Sequence, residues 1–317
     1  MHSHILKYIF MKNFSFFGQR KKEEITQRAQ FTTDYEVGKY KLVLKDSHML
    51  AKYQAQYPLY DRFLPYFCGF FNGLIIDVGA NIGDTSIAIF SRNDDCFVVG
   101  VEPDEEFYKE CVESVVMNNL SDRFLGVQKF ISTRKGAFVI EKDQTSSTGS
   151  INLSSTENTD NTISFKDLLS EIPKNLSENF DVLKIDTDGF DWDVINSFSE
   201  LGKDFEYLPR FVFFEMQTFL NNDSGKTLQR TEMNNNYLEA LSRLKDLGYT
   251  TFSLFDNFGT YVKTTDSIEE IKELNEYVIR SQVLNRHSTI FYFDVLAYHE
   301  RELKFTSDKI ADFYSMK

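Results

Sequence analysis

The sequence has few cysteines. Its three, Cys68, Cys96 and Cys111, form no Cys-x-x-Cys pair and show no spacing typical of a metal site. An odd number of isolated cysteines is typical of reduced thiols in a reducing compartment. We therefore expect three free thiols that serve as small, buried apolar side chains.

Long hydrophobic runs are also absent, since no segment approaches the ~20 apolar residues that a transmembrane helix needs. Within the first 28 residues, basic side chains interrupt the apolar stretches too early for a signal peptide. We therefore expect a cytoplasmic protein with no transmembrane segment. The basic start predicts a peripheral helix that packs on its own domain, with contact to a membrane surface or a partner as the alternative.

Basic residues are fewer than acidic ones: the sequence has 35 Lys and Arg and 48 Asp and Glu, which gives a net charge of -13. Such a protein repels a phosphate backbone, so we do not expect a nucleic-acid partner. The length of 317 residues and the 42% hydrophobic content suit one large core. We predict a helical, partly ordered extension over residues 1–72 and one ligand-binding domain over residues 73–317.

Short apolar runs alternate with helical patterns in this predicted domain. Runs without polar alternation are typical of strands buried on both faces of a parallel sheet. The chain therefore predicts an α/β fold, a doubly wound and mostly parallel sheet with a possible antiparallel pair at its C-terminal end. Residues 143–162, rich in Ser, Thr, Asn and Asp, predict a loop that is either a mobile cover or a solvated insertion. The predicted strands are 74–80, 96–101, 125–131, 137–141, 181–186, 210–215, 249–255 and 289–297, and the helices include 84–90, 104–117, 191–199 and 230–247.

A glycine turn follows the first predicted strand, where Gly79 and Gly83 enclose three residues. In open α/β sheets ligands bind beyond the carboxyl ends of the strands, and glycines there let the backbone approach a ligand. Asn81 stands where a dinucleotide fingerprint has its second glycine, and no phosphate-binding Gly-Lys-Ser or Gly-Lys-Thr follows. Asp77 and Asp84 disfavour a pyrophosphate and suit a ligand with a sulfonium and an ammonium group.

Glu102 ends the second predicted strand, 23 residues after Gly79. Such folds place an acid there that accepts both hydroxyls of a ribose. The alternative is a helix-capping or surface acid. The order and spacing favour an S-adenosylmethionine site, for which we predict the residues Asp77, Gly79, Asn81, Gly83, Asp84 and Glu102.

A second group of charged residues follows the strand predicted at 181–186. Lys184, Asp186, Asp188 and Asp191 lie there, but the glycine spacing does not fit a calcium loop. A lone divalent ion on Asp186 and Asp188 remains an alternative, and we expect no metal. Glu215 follows another apolar run and is predicted to face the same cleft, where it either orients a substrate or pairs with Lys184.

With these motifs, the sequence resembles the FkbM family of S-adenosylmethionine-dependent methyltransferases over roughly residues 73–300. The resemblance implies a seven-stranded, Rossmann-like methyltransferase fold and O-methylation of sugars in glycans or of natural-product scaffolds. The family usually has Glu where this chain has Asp188 and Asp191. The resemblance rests on residues 77–83, Ser86, 101–103, Asn118, Asn119, 184–186, Gly189, Glu215, 247–249, 256–259 and 294–298.

Methyl transfer to oxygen needs an aligned acceptor that loses a proton. Asp186 or Glu215 is predicted to take this proton, and Lys184 is predicted to stabilise a developing alkoxide. One alternative is a nucleotide-sugar oxidoreductase, although Tyr108 lacks the lysine of a Tyr-x-x-x-Lys pair. The other is a catalytically silent binding protein that keeps the fold.

Overall fold

The computed structural model describes residues 31–45, 48–134, 137–142, 149–154, 161–203, 205–218, 227–282 and 290–316. Strands and helices alternate along the chain, as the apolar runs predict. The strands are β1 (Phe31–Val37), β2 (Tyr40–Lys45), β3 (Leu74–Val78), β4 (Phe97–Val101), β5 (Phe124–Val127), β6 (Phe130–Ile131), β7 (Ala137–Lys142), β8 (Gly149–Ser154), β9 (Thr162–Ile163), β10 (Phe180–Ile185), β11 (Phe211–Glu215), β12 (Thr251–Asp256), β13 (Tyr261–Thr265) and β14 (Phe293–Tyr298). The helices are α1 (Leu50–Gln56), α2 (Phe63–Cys68), α3 (Asp84–Arg92), α4 (Glu105–Met117), α5 (Phe165–Glu171), α6 (Lys174–Ser177), α7 (Asp191–Ser199), α8 (Thr227–Asp246), α9 (Ile268–Arg280) and α10 (Leu303–Ser315).

A large central sheet organises the molecule. Its strands follow the order β13-β12-β14-β11-β10-β3-β4-β5 within the described residues. The pairs from β11 to β5 are parallel, whereas β14, β12 and β13 pair antiparallel. This confirms the predicted α/β class, with the antiparallel pairing at the C-terminal end. Seven of the strands make up the predicted sheet, and β13, which was not predicted, adds an eighth at the edge.

The chain changes direction across the sheet at β3. It proceeds from β3 to β4 and β5 on one side and later returns to β10 on the other. The carboxyl ends of β3 and β10 lie side by side, since Val78 and Ile185 are paired. Such a switch point leaves a crevice at the carboxyl edge, where open α/β sheets bind their ligands.

Every residue of β3 is buried, which explains its uninterrupted apolar sequence. Its side chains pack into two hydrophobic cores, one on each face of the sheet. Ile76 belongs to the core that includes α7, α8 and α9, and Ile75 belongs to the core that includes α2, α3 and α10. Helices thus cover both faces of the central strand.

The described part of the extension begins with an antiparallel β-hairpin, β1 and β2. The expectation of a helical extension is therefore wrong for residues 31–45, where aromatic and β-branched residues favour strands on either side of a turn at Gly38. Leu42 and Leu50 join the same core as Ile75, so this segment packs against the sheet domain. The predicted N-terminal basic helix lies outside the described residues.

Two further predictions differ from the structure. Strand β8 lies inside the predicted loop 143–162 and pairs antiparallel with β7, so the loop prediction is wrong for residues 149–154. The predicted strand 125–131 is split into β5 and β6. The three cysteines are free and buried, as expected. Across the described ranges, no helix is both long and apolar enough to cross a membrane.

Candidate functional site

A cavity of about 770 Å³ lies at the carboxyl ends of β3 and β10. This volume is typical of small-molecule and cofactor sites. The turn after β3 and the ends of β4, β10 and β11 line it, together with residues between 48 and 61 of the extension and residues 257, 258, 291 and 292. The site therefore lies where the sheet order predicts it, and it also includes chain segments that the sequence did not indicate.

The glycine turn is held by its packing. Gly79 has a φ of +75°, and a Cβ atom there would lie 1.7 Å from the carbonyl oxygen of Asp186. A side chain at this position would therefore disrupt the turn itself, before any effect on a ligand. Gly83 precedes α3 with a φ of +85°, and its packing against Cys111 leaves no room for a side chain. Gly79 lines the cavity and Gly83 does not.

Asp77 and Lys184 form a buried ion pair below this turn. Lys184 Nζ lies 2.9 Å from Asp77 Oδ1 and 3.4 Å from Asp186 Oδ2, and it donates a hydrogen bond of 2.9 Å to the Gly79 carbonyl. Ser86 donates its hydroxyl hydrogen to the other Asp77 oxygen. Since an ammonium group has three hydrogens, Lys184 is fully engaged. Both residues support the turn from below, and of the two only Lys184 also lines the cavity.

Glu102 faces the cavity from the end of β4. Its two carboxylate oxygens accept the backbone N–H groups of Asn81 and Asp104, each at 2.8 Å. Burial raises the pKa of Glu102 to about 7. Each carboxylate oxygen has a second lone pair, so both can also accept a hydrogen bond from a ligand hydroxyl. This arrangement fits the two hydroxyls of a ribose.

Further carboxylates line the cavity besides Glu102. Asp84, Asp186 and Glu215 line it, as predicted, and Asp188 lines it as well. Asp191 does not, and it does not cap α7 either. Its oxygens accept hydrogen bonds from Thr187, through both N–H and hydroxyl, and from the backbone N–H of Glu215. Asp191 therefore ties the end of β10 to the end of β11.

The predicted ion pair between Glu215 and Lys184 is not formed. The ammonium of Lys184 lies within 4 Å of Asp77 and Asp186, and no ion pair joins it to Glu215. Glu215 lies in register with Asp294 of β14 instead. A smaller recess of about 40 Å³ shares Asp186 and Glu215 with the main cavity and adds Asp294 to its lining.

The sequence did not indicate Tyr57, Tyr60 and Asp61, which come from the extension. Desolvation by the surrounding protein, followed by the carboxylates of Asp84 and Asp186, raises the pKa of Asp61 to about 8. A tyrosine- and proline-containing turn before α2 is the only local signal. Asp294, by contrast, lies in one of the segments that carry the family resemblance, although no role was predicted for it.

Backbone strain is concentrated at this cavity. Among the described residues other than glycine, four have a positive φ, and Asp61, Asn81 and Asp188 of these four line the cavity. Such conformations cost free energy and cluster where a site needs a fixed shape. These three residues, of which Asn81 was a predicted site residue, thus occupy backbone positions that the fold enforces.

The balance of charge indicates what the cavity binds. Its described lining has six carboxylates and the basic residues His48, Lys129 and Lys184. With Lys184 engaged, this surface suits a cationic ligand and repels a pyrophosphate. In the described part of the chain, no group of three or more His, Cys, Asp and Glu side chains is placed to hold a metal ion.

An acidic cavity at the switch point of an α/β sheet, with Glu102 at a strand end and no phosphate-binding motif in the glycine turn, agrees with the class that the sequence predicts. This class is the S-adenosylmethionine-dependent methyltransferases. The chain matches the methyltransferase FkbM domain over residues 77–251. This match covers more than half of the chain, which therefore belongs to the FkbM methyltransferase family. The cavity residues of the extension precede the matched region.

Solved methyltransferase structures show distant similarity. One is precorrin-6y C5,15-methyltransferase from Geobacter metallireducens GS-15, with 9% identity over 75% of this chain and 86% of that chain and a TM-score of 0.36. Another is the plantazolicin methyltransferase BpumL in complex with SAH, with 15% identity over 80% of this chain and 89% of that chain and a TM-score of 0.33. A third, the StiE O-MT, has 8% identity over 72% of this chain and 68% of that chain and a TM-score of 0.37. No curated protein matches the chain.

Proposed function

We propose that the protein transfers a methyl group from S-adenosylmethionine to a hydroxyl oxygen of a sugar in a glycan or of a natural-product scaffold. The observation that carries this proposal is the shared cavity. Glu102 and the glycine turn line it together with the carboxylates of Asp186 and Glu215. Carboxylates accept hydrogen bonds from hydroxyl groups and can accept their protons.

The cofactor supplies a methyl carbon that its sulfonium group activates. In the proposed site, Glu102 accepts hydrogen bonds from the ribose hydroxyls. The backbone N–H groups at the start of α3 hold the carboxylate of the amino-acid moiety, because a helix N-terminus favours negative charge. Asp84 faces its ammonium group. Burial raises the pKa of Asp84 to about 6, and a nearby cation favours its charged form.

Aromatic side chains support a cyclic or scaffold-like acceptor. Tyr57 of the extension and Phe258 after β12 have ring centroids 4.2 Å apart, and Phe291 and Tyr292 before β14 also line the cavity. Binding sites typically combine such aromatic surface with a few polar groups that fix orientation. The carboxylates nearby favour neutral hydroxyl groups over anionic ones.

We propose that Asp186 accepts the acceptor proton and that Glu215 lies on the same side of the acceptor. The carbonyl of Asp186 packs against the cofactor turn at Gly79, and its carboxylate lies 3.4 Å from Lys184 Nζ. Lys184 thus fixes both the turn and the carboxylate. This geometry supports a proton acceptor next to the proposed cofactor, as a displacement with an aligned acceptor requires.

A labelled-methyl screen across glycans, lipids and small metabolites tests this proposal. We expect the wild type to label a neutral hydroxyl compound. Asp186→Asn should lower the transfer rate by at least ~10²-fold with little change in cofactor affinity, because Asn keeps the shape but cannot take a proton. Asp246→Asn, an exposed change at the end of α8, serves as the matched control.

Two results would contradict this assignment. A wild-type rate in Asp186→Asn would eliminate Asp186 as the base. A parallel fall in rate and in cofactor affinity would give it an orienting role instead.

Labelling confined to nitrogen, sulfur or anionic acceptors would contradict O-methylation of a neutral acceptor.

The remaining features of the proposal concern the whole chain. We propose residues 73–317 as the methyltransferase domain, with residues 1–72 as an extension that adds to its site. The free cysteines and the absence of a spanning helix in the described residues support a cytoplasmic location. The basic N-terminal segment is proposed as a peripheral contact, either with its own domain or with a membrane surface.

A further inference from the structure

Glu215 and Asp294 occupy directly opposite positions on neighbouring antiparallel strands. Opposite residues in such a pair have Cβ atoms about 4.5–5.5 Å apart, and like charges there are destabilising. Both side chains also line the recess next to the main cavity. The fold therefore places two carboxylates together at the acceptor end of the site.

Two basic residues, Arg62 and Lys184, line the same recess, but neither pairs with Glu215 or Asp294. Within the described ranges, no ion pair or side-chain hydrogen bond reaches these two acids, since Arg62 donates to Gln54 and the ammonium of Lys184 is engaged by Asp77 and Asp186. A half-buried acid that lacks a donor or a paired cation favours its neutral form. The carboxyl groups of Glu215 and Asp294 are also available for a hydrogen bond to a ligand that enters the recess.

Other acids surround this pair from each neighbouring element. Asp186, Asp188 and Asp191 lie at the end of β10 and the start of α7, and Asp61 and Tyr60 come from the extension, with Asp256 and Tyr292 near β12 and β14. Burial raises the pKa of Glu215 well above its ordinary value, and the carboxylates of Asp186 and Asp294 raise it further. Burial and then Asp61 and Asp186 do the same to the pKa of Asp294. Such an environment favours the protonated form, and a pair of this kind titrates as a unit.

We propose that Glu215 acts in its protonated form as a hydrogen-bond donor to the acceptor, and that Asp294 is the positioning residue that keeps it protonated. Asp186, next to Lys184, is then the charged carboxylate that receives the acceptor proton. The hydroxyl oxygen loses its proton to Asp186 and forms a bond to the methyl carbon. The carbon–sulfur bond of S-adenosylmethionine breaks, its electron pair stays on the sulfur of S-adenosylhomocysteine, and Glu215 keeps its own proton throughout. The inference rests on the proposed function. It assigns proton acceptance to Asp186 and hydrogen-bond donation to Glu215, whereas the sequence left both residues as candidates for the same role. Carboxylates in contrasting environments commonly take such separate roles.

A titration of Glu215 tests this division. The protein is labelled with carbon-13 at the side-chain carboxyl carbon of glutamate, so that aspartates remain silent, and the Glu215 signal is identified by its loss in Glu215→Gln. We expect Glu215 to be protonated at neutral pH in the wild type. Asp294→Asn should lower its titration midpoint by about one pH unit or more, because a neighbouring negative charge is removed. Asp246→Asn should leave the midpoint unchanged.

A charged Glu215 at neutral pH in the wild type would overturn the inference. An unmoved midpoint in Asp294→Asn would overturn the role of Asp294. Asp294→Ser provides the same test if the asparagine variant does not fold. Binding of S-adenosylhomocysteine is measured on the same samples, because its absence in the wild type would contradict the methyltransferase site. Binding together with an ordinary Glu215 titration would contradict only the inference.

Discussion

At the scale of the residue, Glu102 both holds the glycine turn and lines the cavity. Its carboxylate accepts the N–H of Asn81 and so fixes the turn, and its remaining lone pairs face the cavity. The turn and the strand end therefore form one unit. A substitution at Glu102 affects cofactor binding both directly and through the conformation of Asn81.

We predict that Glu102→Ala weakens binding of S-adenosylmethionine by at least about tenfold, since unpaired buried hydroxyls cost about 1–3 kcal/mol. The variant should remain folded, because the strands β3 and β4 are held by their own buried apolar side chains. Calorimetric titration measures the affinity and circular dichroism checks the fold. Unchanged affinity in a folded variant would remove Glu102 from the cofactor site.

At the scale of the elements, the sequence predicted those with a strong local pattern. Strands β3, β4 and β10 are uninterrupted apolar runs because they are buried on both faces. Helix α7 has the predicted bounds, 191–199. Strand β13 was missed because it lies at the edge of the sheet and is only partly buried, so its sequence lacks a long apolar run.

The site was predicted where consecutive residues form it. Gly79, Asn81 and Glu102 come from a strand–turn–helix unit and the next strand, whose order alone defines their proximity. Asp61 and Asp294 line the smaller recess next to the cavity and come from segments more than 200 residues apart. Local periodicity contains no information on such contacts, because they depend on the packing of the extension onto the sheet.

This packing makes the segment of residues 48–61 an element of the site, and we predict that cofactor binding stabilises it. Tyr53, Tyr57 and Asp61 line the cavity, so a bound ligand adds contacts to this segment. Hydrogen–deuterium exchange should slow there on addition of S-adenosylhomocysteine. Helix α9, which does not line the cavity, provides the internal control. Equal exchange of residues 48–61 with and without the ligand would contradict a wall formed by the extension.

At the scale of the whole molecule, the acidic site makes stability depend on pH. The pKa values of Asp84, Glu102 and Asp61 are raised to about 6, 7 and 8. Between about 4 and these values, the folded protein binds more protons than the unfolded chain. The stability that the folded protein gains from binding these protons is fully present below about pH 4 and is lost as the pH rises through about 6 to 8.

We therefore predict that the cofactor-free protein has a lower melting temperature at pH 8 than at pH 5. Asp61→Asn should reduce this difference in melting temperature, because it removes the carboxyl group with the highest of the three pKa values. Differential scanning calorimetry across this range measures the effect, with Asp246→Asn as the control. A melting temperature that rises with pH in the wild type, or an unchanged slope in Asp61→Asn, would contradict the assigned environment of Asp61.

Calorimetric titration of the wild-type protein with S-adenosylmethionine, S-adenosylhomocysteine and NAD tests the central claim most directly. The cavity has Glu102 as the proposed ribose-binding acid, several further carboxylates and no phosphate-binding motif in its glycine turn. We predict saturable binding of the first two ligands at one site and no binding of NAD, whose pyrophosphate the acidic residues repel. Binding of NAD without binding of S-adenosylmethionine would contradict the account and favour an oxidoreductase.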